Sequence, residues 1–129
     1  MDQLTPLEIN KLADNYQKGI DIEKDERKTF ELYLKVDEMG NAAGTCNVGN
    51  CYYYGIGVER DLRKAFDYYQ KTAEMGDAAG TCNVGYCYYY GIGVETNIRK
   101  ADMYFQNAAK MVDIFALGEC YIMLEELEG

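Results

Sequence analysis

The chain has 129 residues, 48% of them hydrophobic, and its 22 carboxylates against 13 Lys and Arg side chains give a net charge of −9. A chain of this length and hydrophobicity can bury a core of its own, which excludes intrinsic disorder. The negative charge excludes nucleic acid and anionic membrane surfaces as partners, and the absence of histidine removes the commonest general base and zinc ligand.

The first residues predict the start of a helix. Thr5-Pro6-Leu7-Glu8 places Thr and Glu three residues apart, as in a capping box, with Pro at the first helical position. The start lacks the basic and apolar regions of a secretory signal. No apolar run approaches the roughly 20 residues of a membrane span. We therefore expect a cytoplasmic protein.

A repeat of 36 residues organises the chain. Residues 41–76 and 77–112 are identical at 24 of 36 positions without a gap. The preceding copy keeps the skeleton at the same spacing, with Tyr16, Gly19, Asp25, Lys28 and Gly40. The frame predicts one domain over residues 1–129, made of repeats at 5–40, 41–76 and 77–112 and a half-repeat helix at 113–129.

Each repeat is predicted to hold two helices joined by a glycine turn. In the second copy, helix A runs from Ala42 to Tyr54, between a capping Asn and a closing Gly. Helix B follows Asp61 and ends near Gly76. Two helices of about 13 residues in each repeat predict roughly 65–75% helix and no sheet. The expected fold is all-α, an α/α solenoid of three helix-turn-helix repeats plus a C-terminal helix.

The skeleton is similar to the Sel1-like repeat family, a group of helical solenoids related to tetratricopeptide repeats. In the third copy it comprises Val84, Gly85, Tyr88, Gly91, Gly93, Val94, Lys100 and Ala101. The first copy departs from it at Ala13 and Asp21, where the pattern has glycines, and resembles an N-terminal cap. The resemblance implies a module that binds a partner protein or peptide without a cofactor.

The A helices of this family line a concave face, which the resemblance implies is the binding groove. At about 100° per residue, one stripe of each helix A carries Asn and Tyr together with Cys51 and Cys87. Such Asn and Tyr side chains suit protein recognition. The predicted groove residues are Asn47, Asn50, Tyr54, Asn83, Tyr86 and Tyr90. Alternatively, Asn47 and Asn83 hold the repeats in register through hydrogen bonds.

The cysteines at positions 46, 51, 82, 87 and 120 are predicted to be small buried side chains. Cys46 and Cys51 lie about 140° apart on one helix, which suits neither a disulfide nor a shared metal. We expect five free thiols in a reducing compartment. Cysteine-rich bacterial relatives suggest a thiol-dependent or β-lactamase-like hydrolase as an alternative. Their disulfides link helices within a repeat, a pattern not expected here, so we predict no enzyme and no metal.

The tail after residue 112 is apolar on more than one face and lacks a following helix B. The apolar residues predicted to self-associate are Ile114, Phe115, Leu117, Tyr121, Ile122 and Leu124. A terminal repeat exposes the face meant for its neighbour, so we predict a homodimer that pairs these residues. The rival explanation is that the chain is a fragment of a longer array, whose missing repeats cover the tail.

Overall fold

The computed structural model describes residues 3–111, which form six α-helices and no strand. These are α1 (Pro6–Lys18), α2 (Glu26–Glu38), α3 (Ala42–Tyr54), α4 (Leu62–Glu74), α5 (Ala78–Tyr90) and α6 (Ile98–Met111). Helices hold 72% of the described residues, which confirms the predicted all-α solenoid fold. Two compact units, Met1–Tyr68 and Tyr69–Gly129, divide the chain within α4.

The helices begin at the capping residues that the sequence predicts. Thr5 Oγ1 accepts a hydrogen bond from the Glu8 amide at 3.2 Å, while Glu8 Oε1 accepts one from the Thr5 amide at 3.0 Å. This capping box satisfies two amides that would otherwise lack partners. A side-chain oxygen likewise accepts from the amide three residues on at Asp25, Asn41, Asp61, Asp77 and Asn97.

The first unit has a core built from helices α1, α2 and α3. Its buried residues include Ala13, Tyr33, Val48 and Cys51. Gly44 lets α3 approach α2 closely, because a Cβ at this position would overlap the Val36 side chain. Val48, one turn further along α3, is fully buried. Gly44 and Val48 therefore face the core, as the helical period predicts.

The second unit has a core built mainly from α5 and α6. Its buried residues include Cys82, Ala101, Phe105 and Ala108. Phe105 is fully buried, and its ring carbons would stand 2.6 Å from a Cβ placed on Gly85. Gly85 thus permits the close approach of α5 and α6. Gly80 permits the close approach of α5 and α4, because a Cβ here would stand 2.5 Å from the side chain of Thr72 on α4.

The turn between helices A and B has the same left-handed backbone in each repeat. Gly57 and Gly93 have φ angles of 70° and 72°, and Asp21 at the equivalent position has φ 63°. Gly57 also touches the first turn of α2, because a Cβ here would overlap the carbonyl oxygen of Glu26. The first repeat therefore keeps the shape of the turn with an aspartate in a conformation that favours glycine.

Candidate functional site

The last residue of each central A helix is the most exposed of the predicted groove residues. Tyr54 at the end of α3 is 68% exposed, and Tyr90 at the end of α5 is 60% exposed. The other four are half-buried: Asn47, Asn50, Asn83 and Tyr86. Each helix therefore combines an exposed aromatic side chain with half-buried polar or aromatic ones. The groove role of these residues and the register role of the asparagines both stay predictions.

Cys51 and Cys87 lie in the core, so their predicted place on the binding stripe is wrong. Their side chains are 0% and 1% exposed. Each lies three residues beyond a buried valine, about 60° around the helix from it, and therefore falls within the buried arc. Burial raises the pKa of both thiols to about 12. Thiols that stay protonated at neutral pH are poor nucleophiles and poor metal ligands.

Cys82 is disulfide-bonded, whereas Cys51 and Cys87 are free thiols. The prediction of five free thiols is therefore wrong at Cys82. Spacing along one helix cannot reveal such a bond, because a disulfide joins residues that the tertiary fold brings together.

Adjacent tyrosines form an aromatic pair at the end of each central A helix. The rings of Tyr53 and Tyr54 meet edge to face at 4.7 Å, and those of Tyr89 and Tyr90 do so at 4.8 Å. In α5, Tyr90 also stacks on Tyr86 at 6.2 Å with the planes 10° apart. Tyr53 and Tyr89 lie outside the stripe that the helical period predicts. The signal that could have found them is the presence of neighbouring tyrosines in the sequence.

A lysine from helix B lies over a tyrosine of helix A in all three repeats. The Nζ atoms of Lys28, Lys64 and Lys100 lie 5.6, 5.5 and 5.3 Å from the ring centroids of Tyr16, Tyr52 and Tyr88. These cation–π contacts hold the lysine stems along the aromatic surface and tie each helix B to its helix A. We therefore assign them to the scaffold.

Parallel tyrosine pairs recur in the second and third repeats. Tyr52 stacks on Tyr68, and Tyr88 stacks on Tyr104, with ring centroids 5.7 Å apart and planes 24° from parallel in both pairs. Identical geometry in two copies indicates that the aromatic packing belongs to the repeat itself.

No group of three or more His, Cys, Asp or Glu within residues 3–111 could hold a metal ion. None of the six helices is long and apolar enough to cross a membrane. A cavity of about 420 Å³ in the second unit has one carboxylate, Glu74, and one lysine, Lys110, in its lining, with no thiol.

The predicted self-association surface cannot be placed on the structure. Its residues Ile114, Phe115, Leu117, Tyr121, Ile122 and Leu124 lie outside the described residues.

The repeats match a known family. A family model described as Sel1 repeat matches residues 9–36, 42–77 and 78–113. Comparison with curated protein sequences gave no match.

Three solved structures share the fold. A Sel1 repeat protein from Oxalobacter formigenes has a TM-score of 0.78 and 24% identity, over 97% of this chain and 59% of its own. A protective antigen of uropathogenic Escherichia coli strains, displaying an SLR fold, has a TM-score of 0.77 and 28% identity, over 97% and 27%. Cysteine-rich protein B of Helicobacter pylori has a TM-score of 0.67 and 26% identity, over 89% and 96%. The chain thus spans less than two thirds of the first two relatives.

Proposed function

Because this chain belongs to the Sel1 repeat family, as the match over three successive repeats shows, we propose that it binds a partner protein or peptide through the exposed side of its A helices. Sel1 repeat proteins are generally protein-interaction modules built on a non-catalytic scaffold. The observation that carries the proposal is the pair of exposed tyrosines, Tyr54 and Tyr90, which end α3 and α5.

The chemistry of these side chains suits recognition. Tyr54 and Tyr90 each expose more than half of their surface. A tyrosine supplies a large contact area at low cost in conformational entropy, and its hydroxyl can donate or accept a hydrogen bond. Half-buried asparagines on the same helices, such as Asn47, add adaptable donors and acceptors. We propose a scaffold or adaptor role for this surface, and a signalling context by analogy with the family alone.

The test is capture of partners by the wild-type chain, followed by affinity measurements with single variants. Tyr54→Ala and Tyr90→Ala should each weaken binding by about 1 to 2 kcal/mol, because truncation removes an aromatic anchor. The matched control is Met103→Ala on α6, since Met103 is 49% exposed but lies on a B helix. Equal binding by all four chains would contradict the proposal.

The asparagines need a separate readout, because a register role competes with the groove role. Asn47→Ala and Asn83→Ala should weaken partner binding while the melting temperature stays near that of the wild type. A fall in melting temperature with binding intact would assign these residues to holding the repeats in register.

A hydrolase remains the enzymatic alternative, and the thiols argue against it. A catalytic cysteine needs a pKa low enough to form a thiolate, whereas burial raises the pKa of Cys51 and Cys87 to about 12. Profiling with a thiol-reactive probe at pH 7 should label these two sites slowly. Rapid labelling of either would revive the enzymatic alternative.

The cysteines also bear on the compartment. The free thiols at Cys51 and Cys87 support the cytoplasm that we propose from the sequence, whereas a disulfide at Cys82 is typical of an oxidising compartment. Thiol counts on freshly isolated, denatured chain decide between them. Equal counts before and after reduction support the cytoplasm, while two fewer before reduction overturn it.

A further inference from the structure

The loop that follows α5 repeats the backbone of the loop that follows α3. The closing glycines, Gly55 and Gly91, have φ angles of 72° and 71° and a ψ of 43° in both cases. In the earlier loop the Asp61 amide donates to a helix A carbonyl at 2.9 Å, and in the later loop the Asn97 amide does so at 2.8 Å. The backbone therefore places the Cα atoms of equivalent residues at equivalent positions in the two loops.

In the second repeat, Arg60 on this loop folds back onto Tyr53. Its guanidinium carbon lies 5.7 Å from the centroid of the Tyr53 ring. Its Nε donates a hydrogen bond to the Tyr53 carbonyl oxygen at 2.9 Å. The flat face of the guanidinium therefore stacks on the Tyr53 ring, while an N–H at its edge donates to the Tyr53 carbonyl.

In the third repeat the receiving groups are present and the arginine is not. Tyr89 stands where the second repeat has Tyr53, and its ring packs edge to face with Tyr90 as Tyr53 does with its own neighbour. Thr96, however, replaces Arg60, and its short side chain cannot cover the ring. No cation among the described residues lies over the Tyr89 ring, and no side chain among them donates to its carbonyl.

We propose that the ring and carbonyl of Tyr89, with the exposed Tyr90 beside them, form a binding site for an arginine side chain of the partner. The proposal rests on the proposed function, and names the chemistry that α5 recognises. Arg60 acts as an internal ligand that fills the equivalent site of the second repeat. The net charge of −9 favours a basic segment as the partner.

Arginine fits this site better than lysine does. An ammonium can lie over the ring, but it is strongly hydrated and has no flat face to stack. A guanidinium can stack on Tyr89 and still donate in its own plane to the carbonyl, as Arg60 does at Tyr53. The stacking of Tyr90 on Tyr86 holds one wall of the site in place before a ligand arrives.

The first experiment titrates the wild-type chain with the peptide acetyl-Gly-Arg-Gly-amide and follows the assigned tyrosine ring signals by NMR. The signals of Tyr89 and Tyr90 should shift and saturate. The lysine peptide should bind about threefold more weakly or worse, and the isosteric, uncharged citrulline peptide should not saturate. Equal shifts with arginine and citrulline peptides would overturn the proposal.

Variants at the loop position test the same site without touching the core. Thr96→Arg should fill the site from within and abolish the shifts at Tyr89, whereas Thr96→Gln, which is long but uncharged, should retain them. Arg60→Thr should open a second site, seen as new saturable shifts at Tyr53. The proposal fails if Thr96→Arg leaves the Tyr89 shifts unchanged.

Binding of the captured partner distinguishes a failure of the arginine site from a failure of the proposed function. If Thr96→Arg binds the partner as tightly as wild type while Tyr54→Ala and Tyr90→Ala bind less tightly, the arginine site is wrong and the proposed function stands. If neither tyrosine variant weakens partner binding, the proposed function fails, and the peptide titration still decides whether Tyr89 binds arginine.

Discussion

At the scale of single residues, the turn between helices shows why two equivalent positions carry different residue types. Gly57 and Asp21 share a left-handed backbone, with φ angles of 70° and 63°. Gly57 also lies against a neighbouring backbone, because a Cβ here would overlap the Glu26 carbonyl oxygen, whereas Asp21 is exposed. An aspartate is therefore tolerated in the first repeat and excluded from the second.

Gly57→Ala should destabilise the chain by about 2 to 4 kcal/mol, because it adds both an unfavourable backbone conformation and a steric overlap. The matched change Asp21→Gly relieves the same backbone conformation where nothing overlaps, and should stabilise by up to about 1 kcal/mol. Urea unfolding followed by circular dichroism measures both. Similar small effects for the two variants would show that Gly57 does not contact α2 as described.

Two buried thiols and one buried tyrosine make the free energy of unfolding depend on pH in the alkaline range. Burial raises the pKa of Cys51, Cys87 and Tyr33 to about 12 in the folded chain. Above about pH 8.5 for the thiols and about pH 10 for the tyrosine, the unfolded chain releases protons that the folded chain still holds. The contribution of these three groups to the free energy of unfolding is complete below the pKa values of the unfolded chain. It is lost as the pH rises toward 12.

The free energy of unfolding should therefore fall between pH 8 and pH 10.5, measured by urea unfolding. Cys51→Ala should reduce that fall, since one raised pKa has been removed, and Lys35→Ala serves as a surface control. A free energy that stays constant over this interval would show that the thiols are more accessible to water than their burial indicates.

At the scale of helices, small residues set how closely neighbours approach. The Gly85 backbone lies against the Phe105 ring, so a methyl group has no room between α5 and α6. Gly85→Ala should destabilise by about 1 to 3 kcal/mol through overpacking. Phe105→Leu is costly alone because it leaves space in the core, but in the double variant the two changes should offset by about 1 kcal/mol. A double-mutant cycle with additive costs would contradict this contact.

The helices show which structural features local sequence can predict. The ends of α3 are predicted correctly because their signals, the Asn41 cap and the Gly55 turn, lie within a few residues of them. The predicted burial of Cys51 is confirmed, but its predicted place on the binding stripe is wrong, because the width of the buried arc depends on which helices pack against α3. The contact of Arg60 with Tyr53 is missed because it requires the loop to fold back across seven residues.

At the scale of the whole molecule, the chain is shorter than two of the three solved relatives. It spans 59% and 27% of the length of the first two solved relatives that it matches. Longer arrays provide more A helices than the three repeats described by the family match.

Self-association through the tail stays a prediction at this scale. The chain should behave as a homodimer at tens of micromolar in light scattering, because the tail's apolar residues need a cover. Changing Leu117, Ile122 and Leu124 to polar residues should yield a monomer with an unchanged helical spectrum. A monomeric wild type would instead favour the rival explanation, in which further repeats of a longer array cover the tail.

The stacked tyrosines give the folded chain an optical signature. The protein has 13 tyrosines and no tryptophan, so its ultraviolet emission comes from tyrosine alone. At the 5.7 Å separation of Tyr52 from Tyr68 and of Tyr88 from Tyr104, excitation energy passes between the rings before emission. Further transfer to rings set at a steep angle, such as from Tyr53 to Tyr54 at 75°, depolarises the emitted light. The fluorescence anisotropy set by energy transfer should therefore rise as unfolding separates the rings, and it reports on the repeat packing without an attached dye.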